Sequence, residues 1–196
     1  IVADDGSTDR TAAVAAAYGG QVLYLRQANA GTAAARNLGM RVAKGEFFAF
    51  LDADDVWPSD KLDRQMARFQ AHPELDICIT HVQNFWIPEL IEEEKKFRDH
   101  RISKALPGYV TGTLMARRRC FDAVGEFNTE IHHADDTEWF LRASEQGCVK
   151  ELLPDVLLYR RLHHTNLSRV RAAHSRDHYL QVLKAALDRR RGLNNR

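Results

Sequence analysis

The chain has 196 residues, 44% of them hydrophobic and 28% charged, with a formal net charge of +1. That suits one globular domain with a substantial core, and no run of about 18 apolar residues offers a membrane span. Three cysteines, Cys78, Cys120 and Cys148, are odd in number and lack paired spacing, so zinc and a disulfide framework are not expected and a reducing cytosol is the natural compartment.

In chain order, Ile1-Val2-Ala3 reads as the end of a strand, and with no Met at its start the chain is expected to be a fragment or a protein whose start is missing. Asp4-Asp5-Gly6-Ser7-Thr8-Asp9 is a turn with capping residues before a helix over about 10–18. A short strand at 22–25 follows, then an Ala-rich helix over 33–43 closed by Lys44-Gly45. Phe47-Phe48-Ala49-Phe50-Leu51 is five apolar residues in a row and predicts a strand buried on both faces. Three carboxylates, Asp52, Asp54 and Asp55, follow at once. A helix over 61–70 places Leu62, Gln65, Met66 and Phe69 at helical spacing, and Ile77 to Thr80 reads as the next strand.

The second half is less regular. Residues 87–100 are highly charged and predict a surface helix or a loop. A strand at 113–116, helices at 118–124 and 137–146, and two strands at 149–153 and 156–159 follow. A last helix over about 172–190 sets Tyr179, Leu183 and Leu187 on one face with Leu180 beside them. Strands alternating with helices argue an α/β fold, a parallel sheet with helices on both faces.

Charge is divided unevenly. Residues 160–196 hold ten Lys/Arg against two Asp, a net +8, which leaves −7 for residues 1–159. A basic tail of this kind is either a solvated helix face or a contact for an anionic surface.

Four acidic or His-bearing turns stand beside apolar segments: Asp4-Asp5, Asp52 to Asp55, Asp135-Asp136 and His163-His164. Clustered carboxylates at a strand end are costly unless a cation neutralises them, and strand ends of an open α/β sheet are where ligands bind. Asp52-Ala53-Asp54-Asp55 therefore points to a divalent metal or a ligand carrying one. Each turn also has a plain structural reading, as a helix cap or a surface histidine. A calcium-loop reading of residues 52–63 fails, because the required Gly is absent and Pro58 interrupts it.

Together the segments resemble the family 2 glycosyltransferases, inverting nucleotide-sugar transferases of the GT-A fold. The resemblance is carried by Val2-Ala3-Asp4-Asp5-Gly6-Ser7, Ala35-Arg36-Asn37-Leu38-Gly39 and Leu51-Asp52-Ala53-Asp54-Asp55. Further on it rests on Val124-Gly125-Glu126-Phe127, Asp135-Asp136-Thr137-Glu138-Trp139 and Tyr159-Arg160-Arg161-Leu162-His163. It implies a mixed, mainly parallel sheet flanked by helices, with residues 1–170 as the transferase domain and 171–196 as a basic helix packed on or beside it. The family's first strand and helix are expected before Ile1.

The resemblance also implies roles. Asp5, with Asp4 beside it, would bond the nucleotide base. Asp52 would face the ribose, and Asp54 with His163 would hold Mn²⁺ or Mg²⁺, ions suited to hard carboxylate oxygens. Arg36, and secondarily Lys44, would assist at the phosphates. Asp135 stands where the family usually has Glu, on the donor side. Asp136 would be the general base that takes the acceptor hydroxyl's proton.

The expected partners are a nucleoside-diphosphate sugar, a UDP-sugar first, and a glycan or lipid acceptor in cell-envelope, polysaccharide or glycolipid synthesis. Nucleic acid is not expected. The expected location is cytoplasmic, with the basic tail on the inner, anionic face of the membrane. Two alternatives remain open. One is a haloacid-dehalogenase-type phosphatase with Asp52 as nucleophile, Asp54 as acid/base and Asp135-Asp136 as a distal metal pair. The other is an inactive accessory domain.

Overall fold

A computed structural model describes the chain except at His132, Arg171, Asn195 and Arg196, and describes only the backbone at 172–177, 190 and 192–194. The strands are β1 (Val2–Asp4), β2 (Tyr24–Arg26), β3 (Phe47–Ala49), β4 (Ile77–Trp86), β5 (Leu106–Pro107), β6 (Met115–Arg117) and β7 (Lys150–Leu162). The helices are α1 (Thr11–Ala17), α2 (Thr32–Val42), α3 (Lys61–Ala71), α4 (Ile91–Lys96), α5 (Arg118–Val124), α6 (Asp135–Glu145), α7 (Leu167–Val170) and α8 (Ala172–Asn194).

The strands make two ladders. β1 and β2 form a parallel pair, with Val2 opposite Tyr24 and Asp4 opposite Arg26. The other five strands form a mixed sheet in the order β3-β6-β4-β5, with β7 on β4. The long pairing of β4 with β7 is parallel, from Ile77 opposite Lys150 to Trp86 opposite Leu162. β6 runs antiparallel to both β3 and β4. Two strands were expected between 149 and 159, and one continuous β7 replaces them. Register shifts near Ile79 to Val82 absorb Pro154, which has no N–H to give the ladder.

Three local expectations need correction. β3 is an edge strand of the five-stranded sheet, so Phe48 is buried while Ala49 and Leu51 are exposed. In α3 the buried residues are Lys61, Gln65 and Phe69, spaced by four, and Leu62 lies outside. The lysine enters the core because its ammonium reaches Gln65 Oε1 at 2.6 Å and sits 4.2 Å from the centre of the Trp57 ring. On α8 the residues turned inward are Val182 and Ala186, whereas Tyr179, Leu180, Leu183 and Leu187 are exposed.

One aromatic core holds the two halves of the five-stranded sheet to its helices. Trp139 of α6 is fully buried, stacks on Phe121 at 4.3 Å and donates Nε1–H to Gly125 O at 3.0 Å. Phe48, Phe127, Ile77, Ile79 and Leu114 close round it. α2 is tied to this core by Asn37, buried, which donates to Phe127 O at 2.8 Å and accepts from Phe127 N at 3.0 Å. Cys120 and Cys148, unrelated by spacing, meet here with their sulfurs 3.0 Å apart as free thiols.

Candidate active site

The acidic turns gather round one cavity of about 1130 Å³. Asp5, Asp52, Asp54, Asp135, Asp136 and His163 all line it. Asp4 does not line it. Its carboxylate is buried, accepts from Ser7 N at 2.7 Å and from the Tyr24 hydroxyl, and has Arg26 3.8 Å away. The Tyr24 and Ser7 hydrogen bonds hold its pKa down at about 2. In this structure the Asp4 carboxylate therefore fixes the turn.

Asp5 makes a second set of local bonds. Its oxygens accept from Gln27 Nε2 at 2.7 Å and from the backbone N–H groups of Ala30 and Gly31, each at 2.8 Å. The 4–9 turn thereby reaches the 29–31 turn that opens α2. Gly6 permits this close approach: its φ is +83°, and a Cβ there would stand 2.9 Å from Asn29 N.

Arg36, on α2, spans the middle of the site. It donates to Asp135 Oδ2 at 2.9 Å and to Asp52 Oδ1 at 2.8 Å, and its side chain is largely buried. Both carboxylates are thus bridged by one guanidinium whose planar fork suits two acceptors, and the trio keeps one net negative charge. The sequence reading set Arg36 at the phosphates; the structure places it as a bridge between Asp52 and Asp135. Lys44 is not among the described residues that line the cavity.

At the end of β7, His163 Nε2 lies 2.9 Å from Asp54 Oδ2, and Asn166 Nδ2 reaches the same oxygen at 3.4 Å. Asn166 is buried and also accepts from His163 N at 2.6 Å, so this turn holds the imidazole toward Asp54. The Asp54 carboxylate is the hard oxygen donor that suits Mn²⁺ or Mg²⁺. Among the described residues no group of three or more His, Cys, Asp or Glu side chains gathers to hold a metal. Asp54 and His163 are the described groups here that could hold such an ion. Asp55, read from sequence as a turn residue, accepts from Arg161 N at 3.0 Å, and burial raises its pKa to about 6.

Asp135 and Asp136 open α6, where the helix dipole favours carboxylates. The residue before them, Ala134, is in the left-handed region at φ 70°. Such a conformation costs a non-glycine residue on the order of 1–3 kcal/mol and clusters at functional sites. Asp136 accepts from Thr137 N at 2.7 Å, and burial, then the charge of Asp135, raises its pKa to about 6. That is the range a general base needs.

Tyr179, from α8, also lines the cavity and was not singled out by sequence as a site residue. Its signal, an aromatic on an amphipathic stripe, is indistinguishable from a core position until the helix is docked.

The model of the family described as "Glycosyl transferase family 2" matches residues 1–144. An uncharacterized glycosyltransferase of Rickettsia typhi is 27% identical over 71% of this chain and 48% of its own length. Among solved structures, Staphylococcus aureus TarS 1–349 in complex with UDP-GlcNAc superposes with TM-score 0.64 at 19% identity, over 83% of this chain and 49% of that one. A mannosyltransferase from Pyrobaculum calidifontis in complex with GDP-Man and Mn²⁺ gives TM-score 0.64 at 21% identity, over 94% and 53%. The chain spans about half the length of the relatives it first matches.

Proposed function

The chain belongs to glycosyl transferase family 2 and has the GT-A fold, and from this we propose that it transfers a sugar, with inversion, from a nucleoside diphosphate to an acceptor hydroxyl. The observation that carries the reading is the shared cavity, in which the Asp54–His163 pair and the raised-pKa carboxylate of Asp136 face one ligand space. A phosphatase nucleophile at Asp52 is disfavoured, since that carboxylate is held by Arg36.

Asp5 and the 29–31 turn support a place for the nucleotide base. Asp52, fixed by Arg36, would meet the ribose, and Asp135 would face the donor from the other end of the same guanidinium. Asp54 and His163 would hold Mn²⁺ or Mg²⁺, which when bound supplies charge neutralisation to the leaving diphosphate. Asp136 takes the acceptor proton as its oxygen attacks the anomeric carbon from the opposite face. The similar structures with UDP-GlcNAc and with GDP-Man and Mn²⁺ support a nucleotide-sugar donor and a divalent ion, with a UDP-sugar as the first choice.

A glycan or lipid acceptor of the cell envelope fits the basic C-terminal segment and the exposed leucines of α8, which suit an anionic membrane surface. No helix among the described residues is long and apolar enough to cross a membrane. The test is a melting shift with UDP- and GDP-sugars in the presence and absence of Mn²⁺, followed by nucleotide release. The expected outcome is a metal-dependent shift with turnover. Binding without turnover would favour the accessory-domain alternative, and phosphate release from a simple phosphomonoester would favour the phosphatase.

A further inference from the structure

α8 lies beyond the stretch that the family model matches, yet it brings an aromatic ring to the reacting carboxylate. The helix is anchored on α6: Val182 and Ala186 are buried, and Arg189 Nε donates to Glu145 Oε2 at 2.8 Å. Tyr179 stands about one turn before Val182, so the anchor fixes where its ring lies. The Tyr179 hydroxyl feels the charge of Asp136 and the side chain of Thr137, the residue after it, and Asp136 and Tyr179 line the same cavity. Tyr179 remains 42% exposed on the cavity wall.

An exposed aromatic side chain on a cavity wall offers a stacking surface. One face of a sugar ring carries C–H groups that pack on an aromatic face, while its rim hydroxyls seek polar partners. The Asp136 carboxylate, whose charge acts on Tyr179, is a polar partner in the same cavity. With Asp52 and Asp135 in the same cavity, a neutral ring is favoured here over an anionic group. Leu167, half exposed, lines the cavity as well and offers apolar contact for whatever the sugar is attached to.

From this we propose that Tyr179 is the acceptor platform: a neutral pyranose of the acceptor stacks on its ring with one hydroxyl directed to Asp136. The proposal deepens the transferase reading and rests on Asp136 as the base.

Binding can be read without any donor. Saturation-transfer NMR on the full chain, with methyl hexosides and methyl N-acetylhexosaminides as probes, should show at least one glycoside bound through its C–H face. Tyr179→Ala should weaken that glycoside about tenfold, whereas Tyr179→Phe should stay within about threefold, because the ring and not the hydroxyl makes the surface. Leu183→Ser, on the same helix but outside the cavity lining, should bind as the unmodified chain does, and this separates a lost platform from a loosened helix. No bound glycoside, equal binding by Tyr179→Ala, or equal loss in Leu183→Ser would overturn the proposal. Failure of the underlying reading looks different: nucleotide release would then be unaffected by Asp136→Asn, whatever the glycosides do.

Discussion

In the proposed transfer, Asp136 is the residue on which the chemistry turns. General-base assistance is worth about 10²–10⁴ in rate. Asp136→Asn is expected to lower kcat by that range while the donor dissociation constant stays within a few-fold, measured by nucleotide release and by titration. The sign of the pH dependence follows from its raised pKa. The base must be ionised, so activity should rise as pH increases through about 6 and level off above it. Asp135 contributes to that raised value through its negative charge. Asp135→Asn should therefore move the acid limb of the pH–rate profile to lower pH, and an unmoved limb would contradict the assignment. That Asp52, Asp54 and Asp136 would gather at one place was legible in sequence, because each stands in an acidic turn beside an apolar segment, and all three line one cavity. The bridge made by Arg36 was not, because its two partners are 16 and 99 residues away and only the fold brings them together. The inward turn of Asp4 was hidden for a similar reason, since its partner Tyr24 lies on another strand.

Among the elements, α2 carries more of the site than its small residues suggest. Its Arg36 spans the carboxylates, and its Asn37 fastens the helix to the backbone at Phe127. Removing that amide leaves a buried N–H and a buried C=O without partners, each worth about 1–3 kcal/mol. Asn37→Ala is expected to cost about 3 kcal/mol and to lower Tm by roughly 6–12 °C in a chain of this size. A change below about 1 kcal/mol would mean that the pair is not what holds the helix. Element positions were largely readable from periodicity. Burial was not: it depends on which face meets a neighbour. The run Phe47 to Leu51 has the composition of a central strand, but pairing with β6 alone leaves it at an edge. Lys61 occupies a core position that hydrophobicity would assign to Leu62, because Gln65 and Trp57 receive its ammonium. On α8, packing against α6 selects Val182 and Ala186 over the larger leucines.

At the scale of the molecule, the two ladders differ greatly in how they are held. Among the described residues β1 pairs as a strand only with β2, and β3 only with β6, although Val2, Ala3, Phe47 and Phe48 all line the same cavity. A two-stranded ladder is marginal by itself. The β1–β2 pair is kept in place by packing, with Gly39 of α2 close enough to Ile1 and Ala3 that an added Cβ would contact both. Segments with few cross-links open independently of the core. The amides of Val2–Asp4 and Tyr24–Arg26 are thus expected to exchange with deuterium well before those of Ile77–Trp86, which are paired along the length of β7. Asp5 sits directly after this loosely held ladder and joins it to the turn at Ala30 and Gly31. A ligand seated on that turn would therefore slow exchange across both short strands, so occupancy of the site can be read from backbone protection in a chain that turns nothing over.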